Sequence, residues 1–134
     1  MDPQHELAHI LLRKASADLA MARCLMGDSA SPDWGIGFHV QQAVEKALKA
    51  ILCAHGIEYP RTHNISLLLD MLAEQNLVAP VARARLIYLT PFGVLLRYDE
   101  IGPSDLELDN MPPRDELVTL AQAVVIWAEA QIQG

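Results

Sequence analysis

Aromatic side chains, cysteines and long apolar stretches are all scarce in this sequence of 134 residues. Aromatic residues make up 5% of the chain, and only two cysteines occur, Cys24 and Cys53. No stretch approaches the roughly 20 consecutive apolar residues that a transmembrane helix needs. The first residues also lack the basic start and apolar run of a signal peptide. We therefore expect a cytoplasmic protein that does not enter a membrane, with both thiols buried and reduced.

A positive net charge is also missing. The chain has 10 Lys and Arg against 17 Asp and Glu, which gives a formal net charge of −7 at pH 7. Such a protein is not attracted to phosphate backbones in general, so sequence-independent coating of nucleic acid is excluded as its main activity. Many of the acidic residues fall between Asp99 and Glu116, without the glycine and ligand spacing of a calcium loop.

The sequence offers little for a metal ion or a cofactor. His5 and His9 stand four residues apart in a predicted helix, a spacing that can hold a metal ion. No third ligand is close to them in the sequence, however, and zinc sites in proteins usually have three or four protein ligands. We expect neither a bound metal nor a cofactor.

Hydrophobic residues make up 51% of the chain and recur at helical spacing. The predicted helices cover residues 3–26, 34–55, 65–72, 80–98 with a break at Pro91, and the stretch from 113 onward. We expect Asp2 and Pro3 to start the first helix, Gly56 to end the second and Asn64 to cap the third. No segment shows the two-residue alternation of a β-strand. The pattern predicts one all-α domain over residues 1–134, an antiparallel helical bundle of four long helices and one shorter helix.

The polar face of the second predicted helix is the first candidate for function. On a helical wheel, its residues lie opposite the apolar stripe; they are Gln41, Gln42, Glu45, Lys46 and Lys49. Spacing alone favours a solvent-exposed face supported by an i, i+4 pair between Glu45 and Lys49. Phe38 lies on the same face, which indicates that another element or a partner covers it.

Two further segments carry polar groups. Arg61 and His63 precede the third predicted helix, where free backbone N–H groups favour anions. Alternatively, His63 only helps to cap the helix and ties the loop to Glu45. Near the end of the fourth predicted helix, Arg97 is equally suited to contact a phosphate or to pair with a buried carboxylate, and Tyr98 to stack on a ligand or to pack in the core.

Together these segments resemble the HEPN family. The resemblance rests on "FHVQQAVEKALKAIL" at 38–52, "GIEYPRTHNISLLL" at 56–69 and "RYD" at 97–99, and it covers residues 18–132. It implies a helical bundle that usually dimerises. It also implies pairing with a minimal nucleotidyltransferase, as in bacterial and archaeal couples that often act as toxin–antitoxin systems.

One departure from the family affects the expected chemistry. Ribonuclease members carry an arginine followed, after four to six residues, by a histidine that acts as acid and base while the arginine stabilises the phosphorane charge. Here no histidine follows Arg97, and Arg61 is only two residues from His63. We assign no catalytic residue with confidence; Arg61 and His63 are the candidates if the chain is a nuclease.

The sequence thus leads to two alternative functions. The first is a non-catalytic module that holds a nucleotide, RNA or a nucleotidyltransferase segment in one polar groove. Its predicted lining consists of Gln42, Glu45, Lys46, Lys49, Arg61, His63, Arg97 and Tyr98. The second is an RNA-cleaving toxin that uses a non-standard arginine and histidine. The sequence also leaves open a purely structural role, in which the polar groove is an internal network and the chain acts only by dimerising. A homodimer is expected in every case.

Overall fold

A computed structural model describes residues 2–90, 92 and 112–133 of the chain. The described part contains five helices and no strand. The helices are α1 (Pro3–Met26), α2 (Asp33–Ala54), α3 (Ile65–Ala73), α4 (Arg83–Ile87) and α5 (Arg114–Ile132). The predicted all-α bundle is confirmed. Within the described residues α1, α2 and α5 are the long helices, and α3 and α4 are short.

The start of α1 follows from its first residues. Asp2 is the N-cap, and its carboxylate accepts a hydrogen bond from the backbone N–H of His5 at 2.8 Å. Pro3 occupies the first helical position, where no N–H is needed. Four residues of α1 are buried in the core, and three of them are alanines: Ala8, Ala15, Leu19 and Ala22. Small side chains let α1 approach α2 closely.

Helix α2 is the centre of the bundle. Thirteen of its 22 residues are buried, including Gln41 and Glu45 on the face that was predicted to be polar. A helix buried on most sides must be covered by several neighbours, and α1, α3 and α5 all pack against α2. The chain leaves α2 through Gly56, whose φ of 72° is a left-handed conformation that glycine adopts without strain.

The connection to α3 and α4 is partly as predicted. Asn64 caps α3, because its side chain accepts a hydrogen bond from the N–H of Leu67. The predicted helix start at Pro80 is wrong: α4 begins at Arg83, and its N-cap residue, Ala82, makes no side-chain capping bond. The residue before Pro80 is Ala79, whose side chain cannot cap a helix as Ser, Thr, Asp or Asn would. The predicted continuation from Pro91 to residue 98 lies outside the described residues.

Arg114, at the start of α5, hydrogen-bonds to the loop between α1 and α2 and to the first residue of α2. Its Nε donates to Asp33 at 2.6 Å, its Nη1 donates to the carbonyl of Asp28 at 2.9 Å, and its Nη2 contacts the carbonyl of Ser31. A planar guanidinium can serve three acceptors at once. This contact joins residues more than 80 positions apart, so no local pattern in the sequence indicates it.

The two cysteines differ in their surroundings. Cys53 is buried, as predicted, whereas Cys24 is exposed and the prediction of its burial is wrong. Cys24 lies on the side of α1 that faces away from the buried alanines, because only every third or fourth residue of α1 reaches the core. Among the helices of the described residues, none has the length and apolar character to cross a membrane.

Gly37 provides a test of the packing at the start of α2. A Cβ atom placed on Gly37 would lie 2.7 Å from Cδ1 and Cε1 of the buried Phe92 ring. We expect Gly37→Ala to lower the free energy of unfolding in urea by about 1–3 kcal/mol, because the ring has little space in which to move.

The matched control is Gly35→Ala in the same helix, where the added Cβ has only ordinary contacts at 3.8 and 3.9 Å. That variant should be unchanged or up to about 1 kcal/mol more stable, as alanine is the better helix former. Equal stability of both variants would contradict the packing of Phe92 against α2.

Candidate functional site

A buried carboxylate on α2 organises the polar residues that the sequence singled out. Glu45 is 4% exposed. One of its oxygens accepts hydrogen bonds from Nδ1 of His63 at 2.7 Å and from Nε2 of Gln41 at 2.8 Å, and the other accepts from Nζ of Lys49 at 3.0 Å. We call Gln41, Gln42, Glu45, Lys49 and His63 the Glu45 cluster. The proposed tie between the loop and Glu45 is present in the structure.

The cluster satisfies its own hydrogen-bonding groups. Nε2 of Gln42 donates at 2.7 Å to Oε1 of Gln41, whose amide in turn donates to Glu45. Within the described residues, no buried side-chain nitrogen or oxygen lacks a hydrogen-bond partner. A fully satisfied network of this kind holds its members in fixed positions. Glu45 thereby fixes the loop before α3 against the face of α2.

The protonation of His63 follows from its partner. An ionised carboxylate oxygen can only accept, so Nδ1 of His63 carries the proton that it shares with Glu45. The other ring nitrogen, Nε2, has no hydrogen-bond partner among the described residues. The His63 side chain remains 22% exposed. It therefore presents one nitrogen to a ligand, as an acceptor when neutral and as a donor when protonated.

Lys46 belongs to a second group of charges. Its Nζ lies 2.6 Å from one oxygen of Asp18 on α1, and the other oxygen of Asp18 lies 3.0 Å from Nδ1 of His39. Lys46 is thus paired with α1, whereas Lys49 is paired with Glu45; that the two lysines line one groove stays a prediction. The sequence analysis did not predict the contacts of Asp18 and His39, because Asp18 lies on a different helix from its two partners.

Tyr59 covers one side of the Glu45 cluster. Nζ of Lys49 lies 5.6 Å from the centre of the Tyr59 ring, within the range of a cation–π interaction. Burial raises the pKa of the Tyr59 hydroxyl, and the negative charges of Glu45 and of Cys53, once its thiol is deprotonated, raise it further. Burial is also the main reason that the pKa of the Cys53 thiol is raised. Both groups thus stay protonated and uncharged at neutral pH.

Arg61 differs from the other predicted cations of the site. It is exposed, and it makes no hydrogen bond or ion pair with any described residue. It precedes His63 by two positions in the loop that Glu45 fixes. The remaining predicted residues, Arg97 and Tyr98, lie outside the described part of the chain. The structure therefore brings together Gln42, Glu45, Lys49 and His63, and leaves Arg61, two residues before His63, exposed to solvent.

The arrangement is suited to binding an anion or a hydrogen-bonding ligand. Lys49 and Lys46 are each paired with a carboxylate, so among the described residues of the predicted set Arg61, Nε2 of His63 and the amide oxygen of Gln42 are available to a ligand. No group of three His, Cys, Asp or Glu side chains in residues 2–90, 92 and 112–133 is arranged to hold a metal ion.

Comparison with known proteins places this geometry in context. The model of the HEPN domain family matches residues 8–129. A crystal structure of an archaeal HEPN homologue superposes with a TM-score of 0.60 at 25% sequence identity, covering 94% of this chain and 98% of that one. No curated protein sequence matches this chain significantly.

The role of Glu45 can be tested by its removal. We expect Glu45→Ala to lower the free energy of unfolding by about 1–3 kcal/mol, because Gln41, which is fully buried, loses its acceptor and Lys49 and His63 lose their counter-charge. Urea denaturation at pH 7 measures the effect. Glu58→Ala is the control, since Glu58 is exposed and has no partner among the described residues. A Glu45 variant as stable as the Glu58 variant would contradict the organising role of this carboxylate.

Proposed function

The chain belongs to the HEPN domain family, and we propose that it is a non-catalytic member that binds a nucleotide-bearing ligand or a partner protein beside the Glu45 cluster. The observation that carries this proposal is the position of Arg61. An exposed arginine without a partner stands two residues from a histidine that a buried carboxylate holds in place. A fixed loop with a free cation is a favourable site for phosphate.

Each residue of the site has a defined part in this proposal. Arg61 contacts the phosphate or an acidic group of the partner, and its planar guanidinium can bind two oxygens at once. Nε2 of His63 makes a second contact, and Gln42 offers hydrogen bonds at the edge of the cluster. Glu45 and Lys49 hold the loop and Tyr59 in position. Lys46, with its charge already paired to Asp18, contributes less than the sequence suggested.

The partner in this proposal is a minimal nucleotidyltransferase. Support comes from the family membership and from the sequence segments that resemble nucleotidyltransferase-associated HEPN proteins. We further propose that the two proteins form a toxin–antitoxin-like couple in the cytoplasm and that the HEPN chain is a homodimer. The missing arginine and histidine spacing argues that cleavage of RNA is not the contribution of this chain.

Nucleotide binding can be measured directly. Titration of the protein with ATP and with AMP, followed by calorimetry, should give saturable binding that Arg61→Ala weakens about tenfold or more, the equivalent of losing one charge-assisted contact. Arg23→Ala is the matched control, because Arg23 is also exposed and unpaired in the described residues but lies on α1. If neither nucleotide nor a purified nucleotidyltransferase binds saturably, the proposal is wrong.

The alternative function, an RNA-cleaving toxin, has one observation in its favour. A carboxylate that accepts from Nδ1 of a histidine is the arrangement that prepares Nε2 as a general base, and Glu45 and His63 have this geometry at 2.7 Å. Arg61 would then stabilise the charge that develops on the phosphorus oxygens. The exposed fraction of His63 leaves room for a substrate hydroxyl at Nε2.

Cleavage of RNA by the purified chain distinguishes the two functions. The toxin alternative requires activity that persists through purification and falls by at least about 100-fold in His63→Ala, the usual contribution of a general base. His55→Ala serves as the control for the loss of an exposed histidine. If the chain is a binding module, as we propose, the unmodified protein should cleave RNA no faster than the His63→Ala or the His55→Ala variant.

A further inference from the structure

His5 and His9 lie side by side on the first two turns of α1. The centres of their rings are 5.5 Å apart, with an angle of 56° between the ring planes. Both side chains are half-buried, and neither ring makes a hydrogen bond to a described residue. Two imidazoles held together without any other partner have no evident role in the packing of the bundle. Their four ring nitrogens remain available for a ligand.

The separation of the rings suits chelation of one ion. A metal ion about 2.0–2.1 Å from one nitrogen of each ring lies about 3.2 Å from each ring centre, so coordination angles of about 90–110° put the centres about 4.5–5.2 Å apart. The observed 5.5 Å differs from this range by a few tenths of an ångström. Small rotations of the side chains on α1 close that difference. The helix itself supplies the spacing, because residues four apart share a face.

The charges around the pair also favour a cation. Asp2 caps α1 directly below His5, which offsets the positive end of the helix dipole. His9 lines one groove together with Glu6 and a second groove, between α1 and α5, together with Glu129. Arg13 lines both grooves and is the cation nearest in sequence. Among the described residues that line these grooves or cap α1, carboxylates therefore outnumber cations.

We propose that His5 and His9 form a two-histidine site for a divalent transition-metal ion of the Zn²⁺, Ni²⁺ and Cu²⁺ type. Imidazole is a preferred ligand of these ions. The segment His5-Glu6-Leu7-Ala8-His9 has the spacing by which a helix presents two zinc ligands on one face. Because the described residues offer no third ligand, water completes the coordination, and we infer binding rather than hydrolysis. The site uses no residue of the Glu45 cluster and does not rest on the function proposed above.

Calorimetric titration with CuCl₂ and with ZnCl₂ at pH 7.5 tests the site. The protein carries Cys24→Ser throughout, because the exposed Cys24 thiol is itself a metal ligand. We expect one ion per chain, with Cu²⁺ bound more tightly than Zn²⁺. His5→Gln and His9→Gln should each weaken binding by at least about tenfold, since even loss of a group that merely orients a ligand costs about 10–100-fold. His55→Gln, which removes an exposed histidine outside the pair, should leave binding unchanged.

Three further readouts separate chelation from loss of structure. Lowering the pH should weaken metal binding, because protonated imidazole cannot coordinate a metal. ZnCl₂ should raise the Tm of the Cys24→Ser protein but not that of His5→Gln, because the rings are adjacent only in the folded helix. Circular dichroism of both His variants should match the parent, because neither ring has a hydrogen-bond partner among the described residues. Equal metal binding by the parent and by the His5→Gln, His9→Gln double variant would overturn the proposal.

Discussion

The carboxylate of Glu45 is the constraint on which the functional part of the structure depends. A charge that is almost fully buried is tolerated only if it is paired and hydrogen-bonded. Glu45 meets this requirement with donors from its own helix and with His63 from the loop before α3. If the loop before α3 moved away from α2, the Glu45 carboxylate would lose its hydrogen bond from His63. The position of Arg61 and the start of α3 therefore follow from the need to neutralise one side chain.

A carboxylate paired with one lysine and one histidine occurs at two places along α2. Asp18 accepts from one lysine and one histidine, as Glu45 does, although the residues come from different elements. In each case the lysine is paired with the carboxylate, and the histidine contacts it through Nδ1. Among the described residues of the predicted site, this pairing leaves Arg61 as the unpaired cation. The binding that we propose therefore depends on Arg61.

Much of the fold could be predicted because its signals are local. Asp2 and Pro3 mark the start of α1, Asn64 caps α3, and Gly56 ends the turn after α2, all within a few residues of the groups they serve. The candidate site was predicted less well. Glu45, Lys49 and His63 were correctly grouped, because Glu45 and Lys49 share a helix face and His63 follows in a short loop. The ion pair of Lys46 was not predicted, since its partner Asp18 lies on a different helix.

The sequence by itself determined α1, α2, α3, α5 and the class of fold, because helical periodicity and capping act over distances of one or two turns. The family followed from the resemblance of three sequence segments and is confirmed by the match to the HEPN domain. Only the tertiary structure decided which polar residues are buried and which charges meet. Gln41 and Lys46 look equally solvent-exposed on a helical wheel, yet one is fully buried and the other pairs with Asp18. The face of a helix that becomes covered depends on where its neighbours pack, and burial in turn decides whether a charge must find a partner.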